Sequence, residues 1–122
     1  MKLKNCLLIL SATAFFSSCY YDKEEKIYGI APCDTSNIKY SVQIVSTIST
    51  NCLRCHGGTA TSGGGIQLSD YNIVKGLALN GKLVGALTHS AGFSPMPKDA
   101  PQLSECRIAE IRTWARNGAL AN

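Results

Sequence analysis

The sequence predicts an all-α fold, and three observations lead to this prediction. The segments 69–79 and 104–117 each combine a capping residue, apolar positions at helical spacing and a glycine beyond the end. The stretches 57–65 and 90–104 are rich in glycine or proline, so we expect loops there. No alternation of strand-like and helix-like segments surrounds residues 52–56. A chain of 122 residues can hold one small domain.

Residues 1–18 are predicted to be a signal peptide. The first five residues form a short, positively charged segment, and the apolar run 6–16 is too short to cross a bilayer. A buried core helix is the alternative, but the small residues Ser17 and Ser18 at the end of the run favour export.

Cys19 is predicted to carry a lipid. Ser17 and Ser18 before this cysteine resemble a bacterial lipobox, and acylation by more than one chain gives stable membrane anchoring. The alternative is a free or disulfide-bonded Cys19. Residues 19–32 are dense in mixed charge and form the predicted tether of an extracytoplasmic, membrane-anchored lipoprotein on the periplasmic side or the cell surface.

The first helix of the domain is predicted to begin at a cap within residues 34–36 and to end near Asn51. Ile44 and Ile48 lie one helical turn apart and point on toward Cys52. The segment is rich in β-branched residues, which would equally suit a strand, so the helix prediction depends on the motif that follows.

The motif Cys52-Leu53-Arg54-Cys55-His56 has the spacing at which two thiols attach covalently to the vinyl groups of one haem. Two residues between the cysteines allow one helical turn to present both sulfurs to the same porphyrin edge. His56 then lies beneath the iron as its proximal ligand. The sequence therefore predicts one haem c, held by Cys52, Cys55 and His56.

Three other interpretations of these segments fit the sequence less well. A thioredoxin-like redox pair needs a βαβ context, which the flanking sequence lacks. A zinc site needs four ligands, and the remaining cysteines and His89 do not offer the usual paired spacing. A phosphate-binding loop over 57–65 would need a Gly-Lys-Ser/Thr ending, so we expect these glycines to allow close packing against the haem edge instead.

Three further helices complete the predicted domain. The first follows a cap at Ser69 or Asp70 and runs to Leu79, a short one covers 83–87, and the last follows Ser104 and ends near Asn117 before Gly118. The apolar positions expected to face inward are Ile73, Val74, Leu77, Ile108, Ile111, Trp114 and Ala115.

Met96 is the predicted sixth ligand of the iron. It is the only methionine left after removal of the signal peptide, and Pro95 and Pro97 stiffen the loop around it. A thioether is a suitable ligand for haem iron. Two alternatives stay open: Met96 fills a hydrophobic gap, or His89, the other histidine, takes the sixth position.

The remaining cysteines, Cys33 and Cys106, are predicted to form a disulfide. Cys6 belongs to the signal peptide, and assigning Cys19 to lipid and the motif cysteines to haem leaves this pair. It would join the two ends of the domain in an oxidising compartment.

The charge of the chain excludes one class of partner. The net charge is +4, and loss of Lys2 and Lys4 with the signal peptide leaves +2. Nucleic-acid-binding proteins are usually much more basic, so we expect no nucleic acid as a partner.

Taken in order, the Cys-x-x-Cys-His motif, the glycine-rich loop, Pro95-Met96-Pro97 and the last helix with Trp114 resemble a small class I cytochrome c. The resemblance covers residues 33 to about 120, within the predicted domain 33–122. It is greatest with the single-haem lipoprotein cytochromes of Bacteroidetes, in which a similar stretch around Met96 recurs and an extra cysteine pair flanks the core.

The resemblance implies an all-α domain whose first and last helices cross around one haem, with His56 and Met96 as axial ligands. It implies one-electron transfer rather than enzymatic catalysis, with redox proteins or membrane respiratory complexes as partners. The alternative is a haem-based enzyme or sensor with a labile sixth ligand. Whether Met96 binds iron distinguishes the two.

Overall fold

The computed structural model describes residues 33–122. Over this range the chain consists of helices, turns and loops without a strand, which confirms the all-α prediction. No helix in the range is long and apolar enough to cross a membrane. The predicted signal peptide 1–18 and the tether 19–32 with Cys19 lie outside the described residues.

Seven helical segments follow one another along the described chain. A π-helical segment, Tyr40–Ile44, leads directly into α1 (Val45–Asn51), and a single turn, α2 (Leu53–His56), carries the last four residues of the Cys-x-x-Cys-His motif. A 3₁₀ turn, Thr61–Gly63, lies in the glycine-rich loop. The last three are α3 (Tyr71–Leu79), α4 (Lys82–Leu87) and α5 (Glu105–Arg116).

The predicted start of the first helix at residues 34–36 is wrong. The carboxylate of Asp34 accepts a hydrogen bond from the Ser36 backbone N–H at 2.8 Å, which closes a local turn instead of capping a helix. The chain is still extended at Lys39, whose N–H donates to the side-chain oxygen of Gln43 at 2.9 Å. The helix therefore begins at Tyr40.

The caps and ends of the later helices agree with the predictions. Asp70 precedes α3 and accepts a hydrogen bond from the Asn72 N–H at 2.7 Å. Ser104 precedes α5 and accepts one from the Arg107 N–H at 3.4 Å. Beyond α5, Gly118 has a φ of +88°, a left-handed conformation that glycine adopts without steric cost.

The hydrophobic core lies between the first helical segment and the last three helices. Helix α5 packs against the π-helical segment, α3 and α4, and α3 packs against α4. The largest fully buried side chains come from several of these elements: Ile44, Val74, Ile108, Ile111 and Trp114. Burial of this set supplies much of the apolar contact that stabilises so small a domain.

The predicted inward face of α3 needs one correction. Val74 is fully buried and Leu77 is half-buried, but Ile73 is 37% exposed, so its predicted inward position is wrong. Ala78 is buried instead, one turn after Val74. The inward stripe of α3 therefore follows Val74 and Ala78.

An aromatic cluster joins the first helical segment to the last helix. The ring of Tyr40 stacks on Trp114 with centroids 5.4 Å apart and meets Tyr71 edge-on at 4.9 Å. The Trp114 indole N–H donates to the Leu120 carbonyl at 2.9 Å, so its polar atom is satisfied. Such contacts fix the approach of the first helical segment to α5.

Candidate haem-attachment site

Cys52 directly precedes α2, and Cys55 is the third residue of this helix. The Cys52 N–H donates to the Ile48 carbonyl at 2.9 Å, and the Cys52 carbonyl in turn accepts hydrogen bonds from the N–H groups of Cys55 and His56. Both cysteines are free thiols; Cys52 is half-buried and Cys55 is exposed. Helix α1 therefore delivers the turn that carries the motif, as the sequence predicts.

The imidazole of His56 is held by one hydrogen bond. Its Nδ1 lies 3.0 Å from the Ile66 carbonyl oxygen. A carbonyl can only accept, so in the neutral ring Nδ1 carries the proton and Nε2 has the lone pair. This is the tautomer that a metal-binding histidine needs, with its other nitrogen oriented by a backbone oxygen.

The backbone around His56 is fixed by the same stretch of chain. The His56 carbonyl accepts a hydrogen bond from the Leu68 N–H at 2.9 Å, two residues after Ile66. The chain 66–68 thus binds both the ring and the main chain of His56. Because two separate groups are held, the ring has little freedom to rotate away from its position.

Gly63 lies directly against the histidine. A Cβ at this position would collide with Nδ1 of His56 and would lie 2.7 Å from the Cys55 carbonyl oxygen, closer than real Cβ contacts allow. The conformation of the loop around the histidine therefore requires glycine here. The sequence predicted close packing of the loop glycines against the haem edge, and nothing in the composition singled out Gly63 or named His56 as its neighbour.

Met96 lies at the edge of the hydrophobic core, far along the chain from the motif. Its side chain is half-buried and packs against the same core as Cys52 and Leu53. The Met96 N–H donates to the Ala86 carbonyl at 3.0 Å, so the loop is bound to the last turn of α4.

The loop before Met96 also packs against α4. A Cβ on Gly85 would lie 2.7 Å from ring carbons of Phe93, so the aromatic ring rests where the glycine leaves room. The side chain of Gln102 donates to the Leu87 carbonyl at 3.0 Å from the other end of the loop. The proline-rich segment is therefore an ordered loop, held by its contacts with α4.

His89, the rival sixth ligand, has its Nε2 engaged elsewhere. This nitrogen lies 3.0 Å from the Met96 carbonyl oxygen. Since the carbonyl can only accept, Nε2 must carry a proton and has no lone pair for a metal; in the neutral ring the lone pair is on Nδ1. The contact between His89 and Met96 was not predicted, because nothing in the sequence indicates which backbone oxygen a solvent-exposed histidine will reach.

Cys33 and Cys106 lie at disulfide distance, with Cα atoms 5.3 Å apart, and are 73 positions apart in the chain. Cys106 is in the first turn of α5, and Cys33 is the first described residue. The geometry agrees with the pairing expected from the cysteine count. A bond here encloses the motif, the glycine-rich loop and Met96 in one covalent loop.

Two features of the described residues bear on a redox pair and on a zinc site. Burial raises the pKa of the Cys52 thiol to about 11, so little of it is the thiolate that disulfide exchange requires. Within residues 33–122, no three His, Cys, Asp or Glu side chains lie close enough together to hold a metal ion, and a structural zinc site needs four ligands.

Comparison of the sequence and structure with protein-family models, curated proteins and solved structures found no match. The proposed function therefore rests on the residues and geometry of this chain.

Proposed function

We propose that this protein is a single-haem c-type cytochrome that transfers one electron at a time. The observation that carries the proposal is the state of His56: it directly follows Cys-x-x-Cys, and its Nδ1–H is bound to the Ile66 carbonyl, which leaves Nε2 free for iron.

The residues present fit a covalently attached haem in two further respects. Cys52 and Cys55 are both free thiols on one helical turn, as thioether attachment to one porphyrin edge requires. The glycine at position 63 leaves the space beside the histidine that a side chain would fill. Cys52 and Cys55 would anchor the haem, and His56 would supply the proximal ligand.

We propose Met96 as the sixth ligand. Its loop is ordered against α4, and ligation of iron by the Nε2 of His89 would break the hydrogen bond from that nitrogen to the Met96 carbonyl. Both observations favour the thioether over the imidazole. Haem iron supplies a one-electron couple, and ligation by histidine and methionine raises its potential. With both axial positions filled, the chain would act as a carrier and not as an enzyme with an open site.

The proposed fold is that of a class I cytochrome c, in which the first and last helices pack together. The stacking of Tyr40 on Trp114, between the π-helical segment and α5, supports this arrangement. The proposed location follows from the sequence: a lipid on Cys19 and the tether 19–32 would keep the domain at a membrane surface. Partners there would be redox proteins or membrane respiratory complexes.

The deciding experiment is production of the full chain in cells that attach haem covalently, followed by mass spectrometry of the denatured protein. We expect the mass of one haem on the wild-type chain and none on the Cys52→Ala/Cys55→Ala variant. The Cys33→Ala/Cys106→Ala variant is the matched control, because it also loses two cysteines and should keep its haem. A haem-free wild-type chain with bound zinc would end the cytochrome proposal.

A further inference from the structure

The residue that follows the end of α4 has a backbone conformation in which glycine is usually found. His89 follows the helix with a φ of +52°, in the left-handed region. The Ser90 N–H donates to the Gly85 carbonyl at 3.0 Å, and the His89 N–H donates to the Ala86 carbonyl at 3.3 Å. This is the Schellman pattern, whose left-handed position normally holds glycine because a Cβ is unfavourable there.

The His89 side chain makes a contact that glycine could not make. Its Nε2–H donates to the Met96 carbonyl oxygen at 3.0 Å. The N–H of Met96 donates to the Ala86 carbonyl, also at 3.0 Å. Both backbone polar groups of Met96 are therefore bound by the end of α4 and the residue just after it.

We propose that His89 is a positioning residue that holds Met96 in place as the sixth ligand, by binding its carbonyl oxygen. The inference rests on the proposed function, because it concerns the same iron site. A strained backbone conformation persists where the surrounding structure gains something from it. At position 89 the gain is the hydrogen bond from the imidazole to the Met96 carbonyl, which a glycine could not make.

The remaining contacts of the loop do not replace this bond. The Phe93 ring packs on Gly85 before Met96, and Gln102 binds the Leu87 carbonyl after it. Among the described residues, the hydrogen bond recorded at the Met96 carbonyl is the one from His89. Loss of the imidazole therefore frees one side of the Met96 backbone while the ends of the loop stay attached.

The test uses full-length protein with attached haem and three variants. His89→Gly removes the imidazole and relieves the left-handed backbone, His89→Gln keeps an N–H donor of similar reach, and Asp99→Gly is the matched control. Asp99 also has a left-handed backbone, with a φ of +57°, but has no part in the His89–Met96 bond. The readouts are covalent haem, the near-infrared band of methionine–iron ligation, the thermal midpoint, and the rate at which cyanide binds ferric haem.

We expect His89→Gly to keep the band and to have an equal or higher thermal midpoint, because glycine suits the position. Cyanide should bind this variant about tenfold faster, the factor that loss of one ordinary hydrogen bond gives. His89→Gln should stay within about threefold of wild type, as expected if a donor is restored, and Asp99→Gly should match wild type.

Each other result has a definite meaning. Cyanide binding to His89→Gly at the wild-type rate would overturn the positioning role, since a residue needed only for the helix end gives that result. Absence of the band from wild type, together with a sixth position that opens to cyanide in His89→Gly and not in Met96→Ala, would make His89 the ligand and would also overturn the inference. Absence of covalent haem from every variant and from wild type would instead overturn the proposed function itself.

Discussion

The Nδ1 of His56 and the carbonyl oxygen of Ile66 lie 3.0 Å apart, and this hydrogen bond determines which nitrogen of the imidazole is free. The two residues are joined by the glycine-rich loop, which folds back on the histidine at Gly63. The loop thus orients the ring as well as connecting α2 to α3, and this role depends on the absence of a side chain at one position.

We predict that Gly63→Ala disturbs the histidine. The added methyl group would meet the imidazole and the Cys55 carbonyl, and a fixed backbone oxygen cannot move away without cost. The free energy of unfolding should fall by about 1–3 kcal/mol, the range for overpacking. Denaturant unfolding of the haem-bearing protein measures this change, and its absorption spectrum reports the state of the histidine–iron bond.

Gly76→Ala is the matched control for that substitution. Gly76 lies inside α3, and a Cβ there would meet no atom within 4 Å. Because alanine is the better helix former, this variant should be up to about 1 kcal/mol more stable than wild type. Equal stability and unchanged spectra in Gly63→Ala and wild type would show that the loop does not constrain the histidine.

The sequence predicted the helices best where a side chain caps them. Asp70 and Ser104 precede their helices as expected, because a carboxylate or hydroxyl there binds a free N–H group. Asp34 is the same kind of residue but closes a turn with Ser36, so its chemistry alone did not determine the helix start. The later start at Tyr40 coincides with stacking on Trp114, a tertiary contact that local sequence does not encode.

For the candidate site, the sequence predicts residues but not the groups that hold them in place. The motif indicates Cys52, Cys55 and His56 by spacing alone, because their function depends on local geometry. Ile66 supports the histidine through its main-chain oxygen. Every residue type has this oxygen, so the identity of residue 66 does not predict the contact. The contact of His89 with Met96 likewise depends on how a loop packs against α4.

We predict that the Cys33–Cys106 pair contributes substantially to stability. A bond between residues 73 positions apart restricts the unfolded chain strongly, and the chain-entropy estimate for such a loop is about 4 kcal/mol. The Cys33→Ala/Cys106→Ala variant should unfold at a correspondingly lower denaturant concentration. Recovery of the linked peptides from a non-reducing digest of wild type checks the pairing, and free thiols at both positions would refute it.

If Cys19 is acylated, we expect the wild-type protein to partition into the detergent phase and to incorporate a lipid analogue during growth. Cys19→Ala should lose both properties and stay unprocessed or become soluble. Ser18→Ala is the control, since alanine is also small and should preserve processing. Labelling that persists without Cys19 would mean that the lipid is attached elsewhere.

Met96 gives the most direct test of the proposed electron transfer. If its thioether binds iron, the oxidised protein should show the weak near-infrared absorption of methionine–iron ligation, and Met96→Ala should abolish it. The reduction potential should fall in the same variant, because water or another donor stabilises ferric iron better than a thioether does. His89→Ala is the control: it should keep the band, since the Nε2–H of His89 already donates to the Met96 carbonyl.

Survival of the band in Met96→Ala, or its absence from wild type, would remove the sixth-ligand assignment and favour a haem site open to exogenous ligands. Carbon monoxide binding to the reduced wild-type protein would then be fast, whereas a filled sixth position makes it slow.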